Sequence, residues 1–402
     1  MVTTATRSAR GQTLAGAALE LIHTGRAPTR AALTASLGVT RATAGAVTAE
    51  LQARRLITVD SGTGAGAGTF GRPSHGLAID PGGPVALAAQ IHPDGFQVAL
   101  TGLGGRIVAE ASGELTAPDD PVRAVAPVAE AGARLLRMAG RMCVGAVLAV
   151  PSAITEPEGA AVSPLYVAWP TGARIRDIFA GEIERAGITG PALMCSVAND
   201  INLMALAEHR HGAGRDAQHL LVIATGHRGV GGALVLDGMV YTGSTGLGME
   251  AGHVSVDPRG RPCRCGNRGC LDVETDALTF IELAGRVPGT NLSDQATALL
   301  RDEHGTDPAV SAAAGTVIER LGLGLAGLIN VLNPDLILLG GLHKDLLAAD
   351  PVRLRAAVAE RSPWGRGSSV PVLSCALDNG SLIGAAELAW HPVLRDPGIL
   401  DA

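Results

Sequence analysis

Three of the six cysteines, Cys263, Cys265 and Cys270, fall within eight residues, and His253 stands ten residues ahead of the first. Thiolate sulfur and imidazole nitrogen at this spacing form a tetrahedral ligand set, with Gly266 and Gly269 relieving the crowding between ligands. Four protein ligands leave no coordination position open, so the expected metal is a structural Zn2+ and not a catalytic one. A reduced cysteine cluster with His253 unligated is the competing account, and iron has less reason on ligand type. Whatever else the chain does, residues 250–272 must close into one compact loop. Clustered cysteines also favour metal over disulfides and a reducing, cytoplasmic setting. Cys143, Cys195 and Cys375 lie in apolar surroundings and are expected to be buried packing residues.

A chain of 402 residues is too long for one core, and 47% hydrophobic against 17% charged residues supplies the apolar material for folding, so two or three globular domains are expected. No apolar run of about 18 residues is evident and the N-terminus lacks an apolar segment behind a basic start, so neither membrane insertion nor secretion is expected. Aromatic residues at 2% are too few to build a stacking surface for single-stranded nucleic acid. The charge is divided along the chain. Residues 1–75 carry eight arginines against three carboxylates, a net +5, which leaves −11 for the remainder of a chain whose total is −6. The basic N-terminus is therefore the candidate partner for a polyanion.

Within that segment, Leu14, Ala17, Ala18, Leu21 and Ile22 recur at helical spacing until Thr24-Gly25. A short second helix follows Pro28-Thr29 over residues 30–36, Leu37-Gly38-Val39-Thr40 makes a glycine turn, and Thr40 caps a third helix running to Arg55. Two helices around such a turn form a helix-turn-helix. Residues 57–59, a glycine-rich tip at 62–68 and residues 75–79 supply a wing hairpin, so residues 1–80 are expected to be a winged helix-turn-helix, DNA-binding domain. Thr40, Arg41, Thr43 and Gly45 lie at the end of the third helix that would enter a major groove, Arg54 and Arg55 would reach phosphates, and Arg72 in Gly71-Arg72-Pro73 could enter a minor groove. The same arginines could instead be the solvated face of a helical dimerisation module, and Gly71-Arg72-Pro73 a plain interdomain turn.

After Pro81-Gly82-Gly83-Pro84 the pattern changes. Strand-like runs at 85–91, 96–101 and 105–110, a helix at 121–139 and a strand at 144–150 are followed by a second series: strands at 219–224 and 232–241, the metal loop, helices at 276–286 and 312–332, and a strand at 335–339. Residues 81–402 are thus expected to be an α/β body of two related lobes with a ligand cleft between them.

Glu250-Ala251-Gly252-His253, followed by Cys263-Arg264-Cys265-Gly266-Asn267-Arg268-Gly269-Cys270-Leu271-Asp272, resembles the zinc signature of the ROK family, which joins repressors and sugar kinases. The resemblance extends through Asn199-Asp200, Asn333-Pro334-Asp335, Gly340-Gly341 and Gly384-Ala385-Ala386, and the winged N-terminus is similar to that of the family's repressors. It implies an actin-like (ribonuclease H-like) two-lobed body holding a sugar in its cleft, and ATP as well in kinase members. Asn199 and Asp200 match the sugar-contacting pair, in which the carboxylate is the kinases' general base, although both are also ordinary N-capping residues. Glu250 and His253 match further sugar contacts, and Asp272 stands where the family usually has Glu, one methylene longer.

The nucleotide half departs from the family. Its first phosphate turn, Asp-x-Gly-x-Thr, is Gln90-Ile91-His92-Pro93-Asp94 here, and its second is His227-Arg228-Gly229. Phosphoryl transfer depends almost wholly on positioning and electrostatics, so the loss of both turns predicts no kinase activity. The expectation is a regulator, a repressor, that binds double-stranded operator DNA as a homodimer or tetramer and senses a sugar or sugar derivative, with the linker near residues 70–84 passing the signal. The alternatives are a sugar kinase with an appended DNA-binding domain and a DNA-binding protein whose cleft is dead.

Overall fold

The structure is a computed structural model that describes residues 11–60, 75–93, 95–115, 117–162, 165–191, 193–363 and 369–401. Arg72, the tip at 62–68 and Asp94 lie outside them.

Three threonines set the N-terminal segment. Thr13, Thr29 and Thr40 cap α1 (Leu14–His23), α2 (Arg30–Leu37) and α3 (Arg41–Ala53), each side chain accepting a first-turn amide. Gly38, at φ +65°, makes the left-handed turn from α2 to α3. The segment closes with an antiparallel pair, β1 (Ile57–Asp60) and β2 (Gly76–Ile79), in the register Ile57 opposite Ile79.

The body repeats one topology twice. In the first lobe β3 (Val85–His92), β4 (Gly95–Thr101) and β5 (Ile107–Gly113) form an antiparallel meander, and a small pair, β7 (Ala153–Ile154) and β8 (Ala161–Val162), follows β6 (Cys143–Val150). Strands β6 and β9 (Met194–Asn199) add in parallel to β3, giving the order β5-β4-β3-β6-β9. Helices α4 (Pro121–Ala139) and α5 (Ile175–Arg185) cover one face of this sheet. α6 (Asp200–His211) leads into the second lobe, where β10 (His219–Thr225), β11 (Val230–Leu236), β12 (Met239–Val240), β13 (Leu336–Gly340) and β14 (Val372–Ser374) take the matching order β12-β11-β10-β13-β14. Helices α7 (Leu271–Glu274), α8 (Ala277–Leu283), α9 (Leu292–Glu303), α10 (Pro308–Leu332), α11 (Leu342–Ala349) and α12 (Pro351–Ala359) pack around this sheet, and α13 (Gly380–Arg395) returns to the first lobe. The doubled meander with parallel additions gives the two related lobes expected from the alternation in the sequence, in the actin-like arrangement that the family resemblance implies.

Each lobe has its own core. A third core runs across residue 80: Leu19, Leu33 and Leu51 of the N-terminal segment are buried with Ala88 and Val147 of the first sheet and Trp390 of α13. By length and composition α10 is apolar enough to cross a membrane, which amends the sequence expectation. Its most apolar stretch is 67% buried, as a core helix of the second lobe is.

Candidate functional site

The cleft is built where the two parallel strands of the first lobe end. β9 stops at Asn199, whose side chain caps α6: Oδ1 accepts from Ile201 N (2.9 Å) and Asn202 N (3.1 Å), and Nδ2 donates to the Ser152 carbonyl (3.2 Å). Asp200 is 7% exposed, and its Oδ1 accepts from Ile201 N at 2.9 Å. Burial raises its carboxyl to about 7, an effect the Ile201 amide opposes and the Glu250 charge reinforces.

From the second lobe comes the loop of the candidate metal ligands. Gly252 is required there, because a Cβ would stand 1.9 Å from the Val230 carbonyl oxygen. This close approach presses the loop onto β11 and brings Glu250, His253 and Asp272 to the cleft. Desolvation also raises the Glu250 carboxyl, against the lowering pull of His253. Asp272 is 1% exposed; its Oδ1 accepts from Val230 N at 2.6 Å, and its Oδ2 accepts from the Tyr166 hydroxyl. Asn199, Asp200, Glu250, His253 and Asp272 together line one cavity of about 380 Å3. Three carboxylates, an amide and an imidazole facing a concave space are suited to hydroxyl groups, each of which both donates and accepts.

Sequence reasoning missed Tyr166. Burial, then the adjoining Asp272 carboxylate, pushes its phenol well above the ordinary range, so it stays a hydrogen-bond donor. Arg264 lies 5.4 Å over its ring and donates to the Leu165 carbonyl at 3.1 Å. The available signal was rarity: the chain has two tyrosines.

His253, Cys263, Cys265 and Cys270 place their ligand atoms within 4.8 Å of one another. His253 Nδ1 is 3.7 Å from Cys263 Sγ, and Cys265 Sγ is 3.7 Å from Cys270 Sγ. A tetrahedron with metal–sulfur bonds of about 2.3 Å has edges of about 3.8 Å, so these donors fit a metal ion. His253 Nδ1 faces the sulfurs while Nε2 lies 4.0 Å from Glu250 on the cavity side. Among the other cysteines, Cys143 and Cys375 are buried, which pushes their thiols up to about 11 and about 12; Cys195 is half-buried, because its strand β9 is the edge of its sheet.

At the two altered phosphate turns, His92 at the end of β3 stacks on His227, after β10, with centroids 4.0 Å apart and planes 7° from parallel. Pro93 has no amide N–H to offer. Arg228 is exposed at the cavity wall.

In the N-terminal segment Thr40 and Arg41 are exposed at the start of α3, and Thr43 and Gly45 are half-buried. The Thr40 hydroxyl is engaged in capping, with Thr43 N at 3.1 Å and Thr43 Oγ1 at 2.9 Å. Arg54 is committed to Asp401 at 2.6 Å and Glu50 at 2.7 Å, and exposed Arg55 lies 3.5 Å from Asp80.

Residues 93–391 match the family model described as the ROK family. The DNA-binding transcriptional dual regulator NagC of Escherichia coli is 31% identical over 218 residues, which is 51% of this chain and 52% of NagC. A glucokinase of Thermotoga maritima is 32% identical over 218 residues, 51% of this chain and 63% of that enzyme. The chain thus spans about half to two thirds of these curated relatives. Among solved structures, a ROK family transcriptional regulator described as a homolog of the E. coli MLC protein superposes with a TM-score of 0.75 at 22% identity, covering 96% of this chain and 98% of that one.

Proposed function

We infer that this chain, which belongs to the ROK family, is a transcriptional repressor that binds operator DNA through α1–α3 and the β1–β2 hairpin. Its affinity for that DNA is set by a sugar or sugar derivative bound between the lobes at Asn199, Asp200, Glu250, His253 and Asp272. The observation that carries the inference is the union, in one chain, of a helix-turn-helix and a hydroxyl-matching cleft. A structural Zn2+ at His253, Cys263, Cys265 and Cys270 would fix the loop that supplies three of those five residues. The chain acts in the cytoplasm as a homodimer or tetramer, in which two recognition helices related by a two-fold axis meet a palindromic site.

Kinase chemistry is not part of this function. The His92–His227 stack and Pro93 stand where the resemblance places the kinases' phosphate turn, and Asp200, which as a general base would only take the proton of the attacking hydroxyl, does not replace the positioning of the phosphates on which transfer depends. Asp200 nevertheless remains, so transfer from ATP to a sugar that disappears in Asp200→Asn would favour the enzyme instead.

The test is protection of DNA upstream of the protein's own gene. The expected result is a palindromic footprint with half-sites one or two helical turns apart, weakened about equally on both halves by Arg41→Ala. That substitution should weaken specific binding by about 1–3 kcal/mol if Arg41 reads a base edge. An equal loss on unrelated DNA would make Arg41 a phosphate contact, and no footprint on any upstream fragment would sink the repressor reading.

A further inference from the structure

Helices α6 and α13 lie side by side and both run from the cleft to the N-terminal segment. At the cleft end Asp200 opens α6, and the Ser381 hydroxyl at the start of α13 donates to the Asp200 carbonyl at 3.0 Å. The two helices are closely apposed, since a Cβ on Gly384 would stand 1.8 Å from the Leu203 carbonyl oxygen. Twelve residues of α6 span roughly 18 Å at 1.5 Å per residue.

At the far end both helices grip α1. Arg210 pairs with Glu20, Arg215 donates to the Thr24 carbonyl, and Arg26 donates to the Arg215 carbonyl at 2.7 Å. The last turn of α13 takes the start of α1: Thr13 N–H donates to the Arg395 carbonyl at 2.9 Å, and a Cβ on Gly16 would stand 2.3 Å from that oxygen.

Between these grips lies a buried joint. Glu387 of α13, 3% exposed, receives His211 Nε2 from α6 at 2.7 Å and His23 Nε2 from α1 at 2.9 Å. The Gly104 amide donates to His23 Nδ1 at 2.8 Å. A ring nitrogen that accepts an N–H carries no proton, so the His23 proton sits on Nε2 and is given to Glu387. The same tautomer argues against a second metal site here, because Nε2 cannot both hold that proton and ligate. Burial alone would raise the Glu387 carboxyl, yet the two imidazoles hold it well below the carboxylate range. An ionised carboxylate at this depth cannot be left alone, so the joint either keeps both partners or exchanges them together with a helix shift.

We propose that α6, jointed to α1 through Glu387, is the element by which occupancy of the cleft changes DNA binding. This rests on the sugar-sensing reading above and adds a packed route to the linker, much of which lies outside the described residues. A ligand that engages Asp200 moves the first turn of α6. The helix carries that movement to His211 and Arg210, and α1 follows through Glu387 and Glu20. α3 must then move as well, because Leu19 of α1 and Leu51 of α3 share one core.

The experiment measures, with the full chain at fixed salt, affinity for DNA upstream of its own gene with and without saturating glucose, N-acetylglucosamine or xylose, and sugar affinity alone by calorimetry. In Glu387→Gln, and in Arg210→Ala as a milder cut should the first fail to fold, the sugar-dependent ratio of DNA affinities should shrink at least about five-fold. Sugar affinity should stay within about two-fold of wild type. An unchanged ratio in a folded variant overturns the relay. Wild-type protein that binds sugar without any change in DNA affinity also overturns it while the cleft reading stands, and wild-type protein that binds none of the sugars brings down the cleft reading itself.

Discussion

Cys263→Ser is expected to lose its bound metal ion and, with it, the response to sugar. Ser at position 263 leaves three ligands and an oxygen that zinc favours less than a thiolate. The effect should exceed the about 10–100-fold loss of affinity that follows from removing a residue that only orients a ligand. The consequence reaches the cleft because one loop serves both purposes. Its backbone is held by isolated bridges, Ser255 to Cys270 and Pro262 to Arg268, and by Gly269 packed against Asp257, where a Cβ would stand 1.6 Å from the carbonyl oxygen. His253 and Asp272 depend on that loop for their positions, and the binding energy of a structural metal is folding energy. Metal analysis of the purified variant, paired with calorimetry against the sugar that binds wild type, checks this. Unchanged metal content would contradict the ligand assignment.

Asp200→Asn is expected to weaken sugar binding by about ten- to a hundred-fold, the size of a lost hydrogen bond to a charged group. It should also make the unliganded protein more stable at pH 8. The sign follows from the direction of the shift. A carboxyl raised from 3.8 to about 7 in the fold is penalised in its ionised form, so its contribution to stability is present below pH 4 and lost as the pH rises toward 7. The penalty that Asn removes is of order 4 kcal/mol at pH 8, from about 1.4 kcal/mol per pH unit. Denaturant unfolding of both proteins at pH 5 and pH 8 should show the gap widening at the higher pH. Sugar affinity of wild type should rise between pH 6 and 8, as the carboxylate forms and accepts from a hydroxyl, and that rise should vanish in the variant. A gap that stays constant with pH would place the titration elsewhere.

Local signals made much of the fold legible. Threonine caps and helical spacing delimit α1 to α3 to within a residue or two, and α4 begins and ends where the sequence sets it, at Pro121 behind the Asp120 cap and at Gly140. The repeated change from strand to helix periodicity announces two lobes. α13 is harder to read from sequence: it is buried over most of its length, and small and apolar residues dominate it. Its one internal carboxylate, Glu387, needs buried partners. Those partners, His23 and His211, are distant in sequence, and so are Tyr166 and Asp272. Arg54 teaches the same point from the other side. Its charge suggested phosphate, but its partner Asp401 lies 347 residues away, where a count of local charge does not see it.

The central claim is that a sugar in this cleft governs attachment to DNA. The most direct measurement titrates the full chain into labelled DNA from upstream of its own gene, by fluorescence anisotropy at fixed salt, with sugars, sugar phosphates and amino sugars added singly. At least one compound should shift specific affinity, and Asp200→Asn should abolish the shift while binding DNA as wild type does. Absence of specific DNA binding, together with transfer of phosphate from ATP to a sugar, would contradict the claim.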